Sequence, residues 1–335
     1  MRNSIKKISA VFAACILLFI FSCAGTVVFA QKKEVYIGGM PAGFTMGLGG
    51  AQIVGVCEIL TEDGTACPAR QADLAVGDMI LSYGGIKIDS AADIDSALAV
   101  KGGGCAEVII LRDHEEIQKE IRPVKDIVCG KYKLGVLIRD SVSGIGTVTY
   151  IEKGTLRFGS LGHAVADESG EPMRLNAGSI YRCSIVNVIR GERGKAGELK
   201  GLFLNDKGIA TADTNCGSGI FGNFEKDYDF TGLESAEISF NAQPGSAVIY
   251  TTVDGITPQK YSIQIVKSDI TNRQNKNFVI RITDKNLLDV SGGIVQGMSG
   301  SPILQDGKLV GAVTHVFLND PTRGYGISIK NMLGN

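Results

Sequence analysis

The feature that most constrains the fold is a succession of short apolar runs, broken by glycine or polar residues, from about residue 131 onward. Roughly ten runs over about 200 residues are typical of strands joined by turns. They cover residues 134–138, 145–151, 184–189, 201–204, 247–252, 262–266, 278–282, 301–304, 309–317 and 325–329. No helical patterns alternate with them, so the pattern predicts an all-β sandwich or paired barrels.

Residues 36–126 form a second predicted unit. Strand-like residues 52–60 lead into a turn at 61–64, and another apolar run covers 108–111. Between them, Ser90 is a candidate N-cap before Ile94, Ala97 and Leu98, which recur at helical spacing up to the glycines at 102–104. We expect a small barrel with one helix, followed by a separate β domain over 130–335.

Two stretches of this unit resemble a PDZ domain. Residues 74–80 read LAVGDMI and precede the glycine pair 84–85 and the helix, while residues 43–48 read GFTMGL. The resemblance implies that Gly43, Phe44, Thr45, Met46, Gly47 and Leu48 form a loop whose N–H groups bind a peptide carboxylate beside a free strand edge. The alternative is a plain turn in a spacer domain.

The charge balance excludes an electrostatic nucleic-acid partner. Lys plus Arg number 34 and Asp plus Glu 35, which gives a net charge of -1 without a basic stripe. The 335 residues suggest two domains.

The N-terminus predicts export. Arg2, Lys6 and Lys7 precede an uncharged apolar run over residues 8–30. The run is long enough to span a bilayer, yet residues 28–30 also fit a cleavage site, so residues 1–30 are either a signal peptide or a membrane anchor. Cys23 adds a lipoprotein alternative, although the preceding residues fit it poorly.

Metal and cofactor chemistry has no signal in the sequence. Six cysteines follow the N-terminal segment: Cys57, Cys67, Cys105, Cys129, Cys183 and Cys216. None forms a Cys-x-x-Cys pair and the three histidines stand far apart, so we expect neither a metal site nor a cofactor. Disulfides are allowed in an exported chain, but we favour free thiols.

The strongest chemical signal is the sequence GMSGSP at residues 297–302. A serine in a glycine-rich turn before a strand exposes its hydroxyl while backbone N–H groups point at a reacting carbonyl. The motif resembles the Gly-x-Ser-Gly-Gly-Pro of chymotrypsin-like peptidases, with Ser301 in place of glycine. Ser299 is thus the candidate nucleophile, and the N–H groups of Gly297 and Ser299 the candidate oxyanion hole.

A serine nucleophile needs a base within hydrogen-bonding reach. His163 follows a predicted strand and precedes Ser299 by 299 − 163 = 136 positions, an order that suits a two-barrel peptidase. His114 lies in a predicted exposed turn. His315 is the second choice as base, because residues 309–315 and 324–327 resemble two strands that wall the substrate pocket of chymotrypsin-like enzymes. We assign Thr314, His315, Val316 and Tyr325 to that pocket.

Spacing alone does not select a catalytic acid between His163 and Ser299. The candidates are Asp167, Asp206, Asp213, Asp227, Asp229, Asp254, Asp269, Asp284 and Asp289.

Several stretches together resemble the stage IV sporulation protein B peptidase family. They are VLIRDS at 136–141 with GIGT at 144–147, LGHA at 161–164, ITDK at 282–285, residues 293–302, and THVFLNDPT at 314–322. The resemblance assigns His163, Asp284 and Ser299 to a catalytic triad, with the acid 299 − 284 = 15 residues before the serine. Asp167 is the rival acid.

The resemblance implies an exported serine endopeptidase of endospore formation, acting between the forespore and mother-cell membranes. Its expected partners are protein substrates: itself, and a membrane-bound regulator of an intramembrane metalloprotease whose cleavage leads to late sigma-factor activation. Two alternatives are a catalytically silent PDZ scaffold and a general extracytoplasmic quality-control protease.

Overall fold

The structure is a computed structural model, and it describes residues 33–166, 170–173, 175, 177–205 and 207–334. The predicted signal or anchor at 1–30 lies outside the described residues. In the part described, no helix is both long and apolar enough to cross a membrane.

The described chain is mainly β. The strands are β1 Glu34–Ile37, β2 Pro41–Val56, β3 Ile59–Thr61, β4 Gly64–Ala66, β5 Met79–Tyr83, β6 Ile86–Lys87, β7 Ala106–Arg112, β8 Glu115–Ile121, β9 Val124–Lys125, β10 Tyr132–Lys133, β11 Val136–Glu152, β12 Arg157–Ser160, β13 Ala177–Ile189, β14 Glu198–Phe203, β15 Ala210–Cys216, β16 Gly219–Phe224, β17 Ser235–Glu237, β18 Gly245–Thr251, β19 Gln259–Ser268, β20 Phe278–Ile282, β21 Pro302–Gln305, β22 Lys308–Phe317 and β23 Asp320–Ser328. The helices are α1 Pro68–Gln71, α2 Ala91–Lys101, α3 Lys285–Ser291 and α4 Ile329–Leu333.

The first barrel is a closed ring of six antiparallel strands. Its order is β11, β12, β16, β15, β13 and β2, and the ring closes because β2 also pairs with β11. Its interior holds aromatic and aliphatic side chains such as Phe44, Val148, Phe158 and Ile180.

The second barrel closes through β18, β19, β20, β23, β22 and β21. Buried and exposed residues alternate along β19, as expected when one face of a strand points into a barrel. Tyr261, Ile263 and Ile265 are buried while the residues between them are exposed. The prediction of a PDZ-like domain followed by a chymotrypsin-like double barrel is confirmed.

The PDZ-like unit packs α2 against β5, β7, β8 and the outer half of β2. The predicted cap of α2 is present, because the Ser90 hydroxyl accepts from the Asp93 N–H and the Asp93 carboxylate accepts from the Ser90 N–H. Ile94, Ala97 and Leu98 are buried as expected. The helix ends at Gly102, whose positive φ of 66° favours glycine.

The two units share strands, which the boundary at residue 36 did not anticipate. Strand β2 lies in the first barrel over 41–47 and in the PDZ-like unit near 51–52, where it pairs with β5. Residues 34–47 therefore belong to the peptidase barrel rather than to the PDZ-like unit, because β1 and β2 pair with β11 far along the sequence.

Candidate active site

A cleft of about 400 Å³ brings the predicted catalytic serine and histidine to one place. It is lined by Ile145, Leu161, His163, Val165, Ile294, Val295, Gln296, Gly297, Ser299, Thr314, His315 and Val316. Among the described residues that line it, the two imidazoles are the only titratable side chains, and most of the others are aliphatic.

Glycines shape the turn that carries Ser299. Gly297 and Gly300 have φ values of 96° and 94°, a region in which a side chain is strained. A Cβ at Gly300 would also collide with the Thr147 carbonyl of β11. The turn can therefore lie directly against the strand only with glycine at this position.

Two threonines of β11 hold the serine turn from beneath. The Thr147 hydroxyl donates to the Gly297 carbonyl at 2.8 Å, and the Thr149 hydroxyl donates to the Gly300 carbonyl at 2.7 Å. The Thr147 N–H donates to the Ser299 carbonyl at 3.0 Å. Both threonines are buried, so these bonds fix the peptide planes on either side of the nucleophile.

The backbone around Gly297 leaves two N–H groups without an acceptor among the described residues. The Gln296 carbonyl accepts from the Leu199 N–H of β14 at 2.8 Å. Because a trans peptide points its carbonyl and N–H in opposite directions, this bond turns the Gly297 N–H away from β14. No described residue accepts a hydrogen bond from the N–H of Gly297 or of Ser299, so both donors are free to bind an oxyanion.

The hydroxyl of Ser299 donates to the Thr314 carbonyl at 2.6 Å. Its proton is thus directed at the backbone of β22. Transfer of that proton to His163, which lines the same cleft, requires the hydroxyl to rotate first.

His163 follows β12 in a turn that a second element holds in place. Its Nδ1 lies 2.8 Å from the Ala164 carbonyl, a geometry that fits Nδ1–H as donor and leaves Nε2 as the basic nitrogen. Burial lowers the pKa of His163, and the Ala164 carbonyl opposes this only in part. The imidazole is therefore neutral near pH 7, as a general base must be.

Asn215 on β15 orders this turn and was missed in the sequence. Its carboxamide accepts from the Val165 N–H at 2.9 Å and donates to the carbonyls of Val165 and Met173. No motif surrounds Asn215, and its role depends on the fold bringing β15 next to Val165 and Met173.

His315 lies against the predicted base, with ring centroids 4.8 Å apart. His315 is exposed at the surface, yet partial desolvation in the cleft, helped by the charges of His163 and Lys276, lowers its pKa to about 4. Of the predicted pocket residues, Thr314, His315 and Val316 line the cleft. Tyr325 does not line it and instead packs edge-on against Phe317, with centroids 4.7 Å apart.

Asp284 is not brought to His163. It is the N-cap of α3, where its carboxylate accepts from the N–H groups of Leu287 at 3.2 Å and Ser262 at 3.3 Å. It is absent from the cleft lining, and no described hydrogen bond joins it to His163. Asp167, the rival acid, lies outside the described residues.

The predicted carboxylate-binding loop at 43–48 is wrong. These residues lie in β2, where β11 pairs with one edge over 43–47 and β13 pairs with the other. Backbone groups committed to two neighbouring strands cannot bind a peptide carboxylate.

A free strand edge in the PDZ-like unit lies elsewhere. Within the described chain, residues 136–140 of β11 pair only with β2, and α2 lies beside them. The Asp140 carboxylate accepts from the Ala91 N–H at the start of α2 at 2.9 Å. Gly135, with a φ of 78°, turns the chain into this strand.

Among the described residues, no group of three or more His, Cys, Asp or Glu could hold a metal ion. The six cysteines after the N-terminal segment are free thiols.

Two family models match the chain, one of a peptidase and one of a PDZ domain. The family model SpoIVB peptidase S55 matches residues 130–333, and a PDZ domain model matches residues 64–112. A solved structure with similarity is the inactive form of the Rv3671c protease, at 16% identity, covering 57% of this chain and 81% of that chain with a TM-score of 0.32. No curated protein matches this chain.

Proposed function

This chain belongs to the SpoIVB peptidase S55 family, and we propose that it is a sporulation signalling serine endopeptidase that uses Ser299 as nucleophile and His163 as general base. The observation that carries this proposal is the common cleft, in which Ser299 stands beside a half-buried, neutral imidazole and two backbone N–H donors that have no partner among the described residues.

The reaction is amide hydrolysis through an acyl-enzyme. The Ser299 hydroxyl leaves the Thr314 carbonyl, passes its proton to Nε2 of His163 and attacks the scissile carbonyl. The N–H groups of Gly297 and Ser299 stabilise the resulting oxyanion. His163 then protonates the leaving amine, and a water molecule hydrolyses the ester with His163 again as base.

Among the described residues, the Ala164 carbonyl is the group that supports Nδ1 of His163. It accepts from Nδ1–H, which fixes the tautomer with Nε2 free, and Asn215 holds the turn that carries this carbonyl. Asp284 contributes by capping α3.

The substrates proposed are the protein itself and a membrane-bound regulator of an intramembrane metalloprotease, whose cleavage leads to late sigma-factor activation. The proposed location is the space between the forespore and mother-cell membranes, with residues 1–30 as export signal or anchor. Family membership supports these assignments, and the apolar run at 8–30 supports export.

The test is intact mass over time of the full chain, with a fluorophosphonate probe, for wild type, Ser299→Ala and Ser301→Ala. Ser301 is a matched control, because its buried hydroxyl has no partner among the described residues. We expect self-cleavage and labelling in wild type and Ser301→Ala, but not in Ser299→Ala. Labelling of Ser299→Ala would reject the assignment of Ser299 as the nucleophile. A wild type that neither cleaves itself nor is labelled would favour the catalytically silent scaffold.

We also propose that the PDZ-like unit binds the C-terminal end of a protein chain as an added strand along residues 136–140, beside α2. The free edge and the turn at Gly135 support this. Hydrogen exchange tests it: a peptide with an apolar C-terminus should protect amides of 136–140. Amides of 43–48 should already be protected without it, since both edges of that segment are paired. Protection confined to other segments would refute the proposal.

A further inference from the structure

The outer face of the second barrel carries a group of cationic and aromatic side chains next to the cleft. We call Lys276, Phe317, Arg323, Tyr325 and Arg281 the cationic strip. On β20, Phe278 and Ile280 point into the barrel core, so Arg281 lies on the outer face. Arg281 is opposite Arg323 on β23, and the residues two positions away on each strand, Val279 and Tyr325, are also opposite each other.

The strip is held together by stacking. The Arg323 guanidinium lies 5.6 Å from the centroid of the Phe317 ring, and the Lys276 ammonium lies 5.2 Å from that of Tyr325. The two rings pack edge to face at 4.7 Å. Aromatic faces thus place the cations without neutralising them.

The three positive charges lack counterions within the described chain. No described carboxylate forms an ion pair with Lys276, Arg281 or Arg323, and Arg323 Nε is buried without a hydrogen-bond partner. The carboxylate of the nearby β22–β23 turn, Asp320, accepts instead from the N–H and hydroxyl of Thr322.

Arg281 opposite Arg323 is unfavourable for folding. Like charges directly opposite in an antiparallel pair destabilise a sheet. An external anion that binds between them would offset this repulsion, as bidentate guanidinium groups bind carboxylates well.

The strip is continuous with the cleft. The His315 ring packs against that of His163 at a tilt of 40°, and Phe317 is two residues further along β22. The charge of Lys276 is close enough to contribute to the lowered pKa of His315. Along a strand that rises about 3.3 Å per residue, Phe317 lies about 10 Å beyond Thr314, which accepts from the nucleophile.

We propose that the cationic strip binds an acidic segment of the protein substrate, centred about three to five residues from the scissile bond. Electrostatic complementarity of this kind selects partners and raises association rates. The described residues that line the cleft include no Lys, Arg, Asp or Glu, so among them the strip is the group that can select acidic sequences. The inference rests on the proposed peptidase function and adds a substrate class to it.

The strip could instead meet anionic lipid headgroups. We favour the peptide substrate as the ligand because the strip adjoins the nucleophile through β22. Binding to a membrane surface would not require the strip to lie next to the nucleophile. Binding to vesicles is therefore a separate readout in the test.

The test uses the full chain and quenched peptides that share the self-cleavage bond. Their flanks carry Glu, Gln or Lys about three to five residues from that bond. In wild type we expect kcat/KM to be about tenfold higher for the Glu than for the Gln peptide, with the preference shrinking at about 0.5 M salt. In Lys276→Glu with Arg281→Glu, the Lys peptide should become the preferred one.

Lys226→Glu makes a single charge reversal on an exposed lysine of the first barrel and should keep the wild-type preference. A wild-type ratio near one, or a ratio unchanged in the double variant, overturns the proposal. Loss of binding only to vesicles of anionic phospholipid, with the peptide ratio unchanged, also overturns it.

Failure of the peptidase function is distinguishable from failure of the strip. If no peptide is cleaved and Ser299 is not labelled, fluorescence anisotropy with the Glu and Gln peptides still measures binding. Tighter binding of the Glu peptide that is lost in the double variant would support the strip alone. Equal binding of both peptides would reject it.

Discussion

The hydrogen bond from Ser299 to the Thr314 carbonyl shows where the nucleophile's proton lies before substrate binds. A hydroxyl rotates readily, so this contact does not prevent transfer to His163. The His163 imidazole is half-buried, neutral and oriented through Nδ1, so the chemistry described here depends on few side chains.

Asp284 allows a sharp test of the acid. In Asp284→Asn the side chain can still cap α3, so we expect folding to be retained and kcat to stay within about tenfold of wild type. If Asp284 were the triad acid, the same change would lower kcat by about four orders of magnitude. Asp284→Ala removes the cap and should cost about 1 kcal/mol of stability. Thermal unfolding and peptide hydrolysis of both variants separate these roles.

The two imidazoles predict how stability depends on pH. Partial desolvation lowers the pKa of both His163 and His315, the latter to about 4, whereas in an unfolded chain both have a pKa of 6.5. Below pH 6.5 the unfolded state thus binds more protons than the native state, so the free energy of unfolding should fall until about pH 4. Thermal unfolding should show a smaller fall in His315→Gln, and an equal fall in that variant would contradict the assignment.

The acid limb of the pH profile, in which kcat/KM falls toward low pH, reports protonation of the catalytic base. Because burial lowers the pKa of His163, the limb should lie below pH 6.5. A limb above that value would mean that His163 is not the titrating base.

Strand β11 connects the elements of the site. Its first residues form the free edge beside α2, and Thr147 and Thr149 hold the serine turn. A single strand thus belongs to the PDZ-like unit at one end and to the active site at the other.

Thr147→Val tests this support. Removing the hydroxyl leaves the Gly297 carbonyl without its donor and loosens the oxyanion peptides, so we expect kcat to fall about ten- to a hundredfold with KM nearly unchanged. Thr251→Val is the matched control, since the Thr251 hydroxyl is also buried but has no partner among the described residues. If both variants had equal kcat and KM, the Thr147 hydroxyl would not be needed to position the turn.

At the scale of the whole molecule, the PDZ-like unit is an insertion between two strands of the first barrel. Val56 of β2 lies opposite Val136 of β11, so both ends of the insertion meet. The barrel ring needs β2 between β11 and β13. A cut at the linker near residue 130 therefore separates a barrel from one of its own strands.

Two deletions follow from this topology. A fragment of residues 130–335 should fail to unfold cooperatively and should not label at Ser299, because it lacks β2. Replacement of residues 57–135 by Asn-Gly, a two-residue hairpin turn, should leave the double barrel folded and labelled. Calorimetry and the fluorophosphonate probe check both, and a folded, active 130–335 fragment would refute the shared-strand topology.

Short sequence patterns were enough to predict the strands, the start of α2 and the turn around Ser299. Alternating apolar residues specify strands, Ser90 and Asp93 specify the start of α2, and the glycines around Ser299 specify a turn that exposes a hydroxyl. Such features depend on a few neighbouring residues and on steric limits of the backbone, so they can be read without knowing the fold.

Contacts between residues far apart in sequence could be known only from the folded structure. Residues 43–48 carry the glycines of a loop, but β11 and β13 pair with both edges and make them a strand. The family resemblance assigned Asp284 to the triad, but its carboxylate caps α3 in the structure. No sequence motif marks Asn215, Thr147 or Leu199. Their contacts form because barrel closure brings together strands that are far apart in sequence. The entropic cost of closing the long loops between such strands depends on the fold and not on local sequence preference.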